Sequence, residues 1–240
     1  RAFQSKRQAG SAIKPFLYQT ALNEGYNPAS QLFDIGRTYT YTVGGVQKKW
    51  QPKNYGGNFQ GIVSLRDSLV QSRNLSTLNL VTDVGVNTTT DDLKRYGFKD
   101  IVDNLSVTLG SMSVNLIEFS QAYTIFSNNG VQVKPYIVEQ IVNKDGKSVT
   151  FEPQRKELNP PEQSYLITSI LKDGVTKGTG RRAAVDGIEL AGKTGTTNDN
   201  IDAWFCGYSP SIQTIVWFGN DNNTPMRRAE TGSTIAAPAF

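Results

Sequence analysis

The stretch Gly10-Ser11-Ala12-Ile13-Lys14-Pro15-Phe16 restricts the fold of this chain more than any other. Glycine breaks preceding structure, serine favours a helix start, and proline is tolerated only within the first turn, so a helix has to begin beside Ser11. Residues three apart on a helix share a face, so Lys14 is expected to point back towards the Ser11 hydroxyl with its amine in reach. The chain contains no histidine. The usual base for a serine nucleophile is therefore missing, and a lysine must substitute if Ser11 is to attack anything. Near the positive end of a helix dipole, and partly desolvated, the Lys14 ammonium would give up its proton more readily.

The spacing alone is not specific. With 18 serines and 14 lysines in 240 residues, chance supplies about one Ser-x-x-Lys. Ser169-Ile170-Leu171-Lys172 has the same spacing, but Gly174 follows at once, which puts that serine in the last turns of a helix and makes the copy structural.

A length of 240 residues allows one large domain or two small ones. The single cysteine, Cys206, excludes an internal disulfide, and without histidine the chain lacks the ligands of an ordinary zinc site, so no metal or cofactor is expected. Cys206 lies in the strand-like run Ala203-Trp204-Phe205-Cys206-Gly207-Tyr208 and reads as a buried structural thiol. The net charge is +4, and basic residues are scattered in pairs such as Lys48-Lys49 and Arg181-Arg182. That pattern is solvated surface, not a nucleic-acid stripe. No run approaches the roughly 18 uninterrupted apolar residues of a membrane helix. Because Arg1 lies so close to the candidate nucleophile, the chain is expected to be an ordered portion of a longer polypeptide.

Along the chain, Gly25 should end the Ser11 helix, and Thr38 to Trp50 alternates about Gly44-Gly45 as a hairpin. After a Pro/Gly/Asn-rich loop, Ile62 to Leu69 reads as a short helix leading into Ser72-Arg73-Asn74. Thr90-Asp91-Asp92 is expected to cap a further helix that stops at Gly97. Leu116, Phe119, Tyr123 and Phe126 share one face of a helix ended by Asn129-Gly130, as core packing requires. A second hairpin turns at Asp145-Gly146, and Pro161 to Lys172 is helical. Gly187 to Thr197, Ala203 to Tyr208 and Gln213 to Phe218 should form an antiparallel meander. The expected class is α+β, with a helical middle over about 62–174, a late sheet over about 187–218 and a cleft between layers.

The first strand of that meander carries Lys193-Thr194-Gly195-Thr196-Thr197. On an edge strand a substrate peptide can add by backbone hydrogen bonds, Gly195 would leave room for close approach, and Lys193 with the threonine hydroxyls would fix a carboxylate. Ser72 and Asn74, two apart, can line the opposite wall.

Ser-x-x-Lys, Ser-x-Asn and Lys-Thr-Gly in this order resemble the penicilloyl-serine transferase signature, shared by penicillin-binding proteins and serine β-lactamases. Arg7-Gln8-Ala9-Gly10-Ser11, Trp50-x-Pro52-x-Asn54, Ser72-Arg73-Asn74 and Lys193 to Asp199 with Asp202-Ala203-Trp204-Phe205 are similar to class A, bifunctional penicillin-binding proteins, and the likeness spans nearly the whole chain as one transpeptidase domain. Ala9 and Ile13 stand where that family often has proline and phenylalanine. The resemblance implies a D,D-transpeptidase acting on D-alanyl-D-alanine stem peptides of peptidoglycan and acylated by β-lactams. It implies Ser11 as nucleophile, Lys14 as base, Ser72 and Lys193 as proton relay to the leaving D-alanine, and Asn74, Thr194, Gly195 and Thr196 as the substrate-binding set. Backbone N–H groups of Ser11 and Thr196 would form the oxyanion hole. A membrane anchor and a glycosyltransferase domain elsewhere in the full protein, and a location on the outer face of the bacterial cell membrane, are also implied. A D,D-carboxypeptidase, a β-lactamase-like hydrolase and a β-lactam sensor domain share the motifs. The commonest β-lactamases add a glutamate for deacylation, and Glu139 is better read as a solvent-facing residue. Since the family's sheet also uses strands upstream of the nucleophile helix, Trp204, Phe205 and Trp217 are expected to be unusually accessible and the chain alone to aggregate.

Overall fold

The structure, a computed structural model, describes residues 2–240. The chain opens with β1 (Arg7–Gln8), a 3₁₀ turn (Gly10–Ile13) and α1 (Lys14–Asn23), followed by β2 (Gln31–Asp34), β3 (Tyr39–Val43), β4 (Val46–Trp50) and β5 (Gly61–Ser64). Next come α2 (Leu65–Val70), α3 (Asn74–Val84), α4 (Val86–Arg95), β6 (Ser113–Val114) and α5 (Leu116–Ser127). Strands β7 (Val131–Val133), β8 (Gln140–Val142), β9 (Ser148–Thr150) and β10 (Arg155–Glu157) precede α6 (Pro161–Thr176). The late strands are β11 (Ala191–Thr196), β12 (Asp202–Tyr208) and β13 (Gln213–Gly219), and α7 (Ala237–Ala239) follows a π-helical turn. Strands β11, β12 and β13 make the expected antiparallel meander, while β1–β6, β2–β5, β3–β4, β7–β10 and β8–β9 are antiparallel pairs.

All seven residues of β12 are buried, because helices cover both faces of the meander. On one face Trp204 and Cys206 join the core of α1 and α5, with Trp204 against Phe119 at 5.5 Å. On the other, Phe205 packs with Val175, Ala236, Ala237 and Phe240. The expectation of accessible aromatics is therefore wrong for Trp204 and Phe205, both 0% exposed. Trp217 is partly buried, with the Arg7 guanidinium 4.8 Å from its ring and its indole N–H donated to Asp202 Oδ1 at 2.9 Å. Helices on the two faces shield these rings, α1 and α5 over Trp204, and α6 with the C-terminal helical turns over Phe205. Strand β13 still has β12 as its one strand partner among the described residues.

Helix α1 is buried from Lys14 to Leu22, and its polar members have partners inside the protein, Thr20 donating to Asp92 Oδ2 at 2.9 Å and Gln19 to Asn23 Oδ1 at 3.0 Å. Phe16 is its anchor, with ring centroids of Phe126, Phe98 and Tyr123 at 4.9, 5.0 and 5.1 Å. Burying such a ring is worth about 3–5 kcal/mol against alanine. This fixes the helix that carries Lys14.

Several sequence boundaries shift, and the strand expected from Gly187 to Thr197 runs only over Ala191–Thr196. Ile62 belongs to β5, since it pairs with Phe33 before α2 begins at Leu65. Helix α4 begins after Gly85, whose φ is 103°, so Thr90-Asp91-Asp92 lies inside it. Helix α6 continues through Gly174, where a Cβ would stand 3.1 Å from the Gly192 carbonyl oxygen, so here glycine serves helix-to-strand contact and not termination.

Candidate active site

Ser11 sits in the 3₁₀ turn leading into α1, partly exposed, with Lys14 as the first residue of the α-helix. Several bonds fasten that turn. Gly10 N–H donates to Gly110 O at 3.2 Å, Tyr123 donates its phenol proton to Ala12 O at 2.5 Å, and Trp204 Nε1 donates to Gln8 O at 2.8 Å. Gly10 has φ of 52°, and a Cβ there would lie 2.9 Å from Thr196 O, so glycine lets the serine turn rest directly on β11. Gly195 has the same purpose from the other side. A Cβ on it would meet Ala9 O at 2.8 Å and the Ala12 methyl at 2.9 Å. Gly195 is thus required for the packing of the Ser11 turn against β11.

The Lys14 amine is fully buried and donates to Ser72 O (2.8 Å), Arg73 O (3.1 Å) and Asn74 Oδ1 (2.7 Å). It does not point back to a hydrogen bond with Ser11, as helix spacing had suggested, because the three oxygens across the cleft capture it. These acceptors favour the ammonium. Burial, followed by the charge of Lys193, opposes it and holds the Lys14 pKa well below its ordinary value. Lys193, also buried, donates to Ser72 Oγ at 2.8 Å and Thr194 O at 2.9 Å. Burial brings its pKa down to about 7. Ser72 therefore receives one lysine on its hydroxyl and the other on its carbonyl, and it does so from a left-handed backbone with φ of 56°. That conformation costs a non-glycine residue about 1 kcal/mol or more and places both oxygens in the cleft.

Asn74 opens α3 with both ends of its amide engaged, the oxygen by Lys14 and the nitrogen by Lys53 O at 2.9 Å. The threonines lie elsewhere. Thr194 and Thr196 alternate with Lys193 and Gly195 along β11, so their side chains project from its opposite face. Thr194 Oγ1 is 2.6 Å from Thr179 Oγ1, and Thr196 Oγ1 accepts from Gly232 N–H at 3.0 Å. Backbone groups fare differently. Thr197 N–H bonds Asp202 O, and by antiparallel alternation the N–H of Thr196 then faces the open edge of β11.

Three residues that touch this constellation were not singled out for a role from the sequence. Thr179 lies between two glycines, and a Cβ at Gly178 would be 2.5 Å from Val70 O; the Gly-x-Gly pattern was its only signal. Asp34, alone in a strand, gave none. Asn54 appeared only within a motif. Cys206 is buried as expected, with its thiol pushed up by burial. Glu139 is exposed just before β8. Among the described residues, no group of three or more His, Cys, Asp or Glu could hold a metal, and no helix is long and apolar enough to cross a membrane.

The family model "Penicillin binding protein transpeptidase domain" matches residues 1–240. Penicillin-binding protein 1A of Pseudomonas aeruginosa is 32% identical over all of this chain and 36% of its own length. The Neisseria cinerea protein of the same name is 35% identical over 100% of the chain and 31% of its own length. The chain thus spans about a third of these relatives. The crystal structure of penicillin-binding protein 1A from Haemophilus influenzae superposes with a TM-score of 0.89 at 29% identity, covering 97% of this chain and 41% of that one. An imipenem acyl-enzyme of penicillin-binding protein A from M. tuberculosis shares the fold, with a TM-score of 0.82 at 20% identity over 99% of this chain and 59% of that one. By sequence and by fold, the chain belongs to the penicillin-binding protein transpeptidase family.

Proposed function

We propose that this domain cross-links peptidoglycan by acyl transfer from a D-alanyl-D-alanine stem peptide, and that β-lactams acylate it as substrate mimics. The observation that carries the reading is the convergence of two buried lysines on Ser72 beside the Ser11 turn. Lys14, whose pKa desolvation and the neighbouring Lys193 charge hold well below the ordinary value, gives up its proton readily and in its neutral form takes the Ser11 proton. Ser11 Oγ bonds to the penultimate carbonyl carbon, and the N–H groups of Ser11 and Thr196 hold the oxyanion, at roughly 3 kcal/mol per donor. Lys193, near half-protonated at neutral pH, passes a proton through Ser72 Oγ to the departing D-alanine nitrogen. An acceptor amine then attacks the acyl-enzyme. Asn74 holds the donor peptide. Thr196, whose O–H is left to donate while its oxygen accepts from Gly232 N–H, binds the terminal carboxylate at the β11 edge. Thr194 joins it by exchanging its bond to Thr179 for one to substrate. In the whole protein, a membrane anchor and a glycosyltransferase domain would place this chemistry on the outer face of the bacterial membrane, the periplasm where an outer membrane exists.

Mass spectrometry after incubation with a penicillin tests the reading. One adduct is expected, on Ser11, absent in Ser11→Ala and present in Ser169→Ala. Labelling of Ser11→Ala would end the proposal. Product diverted from hydrolysis by an added amine separates the transpeptidase from a carboxypeptidase or sensor.

A further inference from the structure

Asp34 lies on β2, outside every motif above, and is 0% exposed. Its carboxylate accepts from Arg73 Nε at 2.9 Å, Asn54 Nδ2 at 2.8 Å and Gln60 N–H at 2.9 Å, and it forms an ion pair with the Arg73 guanidinium. Asn54, so oriented, accepts from Asn74 N–H at 2.7 Å and Leu75 N–H at 3.1 Å with its own oxygen. It thereby caps α3 from a distant loop, where Arg73 at the N-cap offers no side-chain cap. The segment held from both sides supplies all three acceptors of the Lys14 amine.

We propose that Asp34 is a positioning residue for acylation: through Arg73 and Asn54 it fixes the Ser72–Asn74 segment around the Lys14 amine and supplies the one negative charge among the described residues that faces it. The inference rests on the transpeptidase reading. The charged groups facing Lys14 are Lys193 on β11, Asp34 on β2 and Arg73 before α3. Of these, only Asp34 favours the ammonium. Asp34→Asn leaves Arg73 as an uncompensated cation, so Lys14 loses its proton at lower pH.

The test is the rate of acylation by a fluorescent penicillin across pH about 5 to 10. Asp34→Asn should move the acid limb of the profile down by about half to one pH unit. Asp34→Asn with Arg73→Gln removes both charges and should move the limb back towards the wild-type position. Asn54→Ala, which keeps the ion pair, should lower the plateau about tenfold with the limb unmoved. An unmoved limb in Asp34→Asn, or the same displacement in the double variant, overturns the proposal and leaves a structural ion pair. If Asp34→Asn does not fold, a wild-type plateau in Asn54→Ala overturns it instead. Wild-type protein that is not acylated would reject the functional reading itself, a result distinct from these.

Discussion

Replacing Lys193 with Met should make the domain more stable while it abolishes acylation. The buried amine has a pKa near 7 instead of 10.5. Holding that amine at pH 7 costs on the order of 4 kcal/mol relative to an exposed lysine. Methionine has similar length and no charge, but forfeits the bonds to Ser72 Oγ and Thr194 O, at about 1 kcal/mol each. The net gain is about 2 kcal/mol, or roughly 4–8 °C in Tm for a chain of this size. The pH dependence provides the sharper check. Because the folded pKa lies below the unfolded one, the unfolded chain binds more protons between about pH 7 and 10.5. Wild-type stability should therefore climb through that window, by up to about 1.4 kcal/mol per pH unit, and the variant should lack this component. Thermal unfolding of both proteins at several pH values measures it. The advantage of Lys193→Met should be greatest at or below pH 7 and fade towards pH 10. Equal or lower Tm at pH 7 with a parallel pH slope would refute the reasoning, and would mean that Lys193 is not held against its charge.

Lys14→Arg should lose acylation although the charge is kept, since guanidinium cannot be deprotonated at working pH; an acylation rate near that of the wild type would move the base elsewhere. Gly195→Ala places a Cβ against Ala9 O and Ala12 and shifts the nucleophile turn off β11, so penicillin acylation should fall on the order of 100-fold. Retained rate would show that the turn can give way. Expressed alone, the chain should aggregate through the free edge of β13, and Phe218→Lys on that edge should raise the monomer fraction in size-exclusion chromatography. A wild-type chain that is monomeric and unfolds cooperatively would show that the edge is harmless.

The ends of several elements follow from local residues. Gly44-Gly45 and Asp145-Gly146 named their hairpins, Pro15 and Pro161 their helix starts, and the Ala203 to Tyr208 run its buried strand. The start of α4 does not follow in this way, because a polar, capping-like triplet in mid-helix outweighs Gly85. Nor does the place of Ile62, because a short apolar segment followed by a helix has no period of its own.

The chemistry divides in the same way. The motifs and their order were sufficient to select the family, since these depend on which functional groups the chain possesses. The tertiary structure alone decided how the groups are held. It gave the Lys14 amine three acceptors in the Ser72–Asn74 segment, put Lys193 on the Ser72 hydroxyl, and gave Gly195 to the packing of the serine turn. It also recruited Asp34, which lies 39 residues before Arg73. Hydrogen-bond partners and desolvation depend on distances between segments far apart in the chain, and local spacing contains no information about those distances.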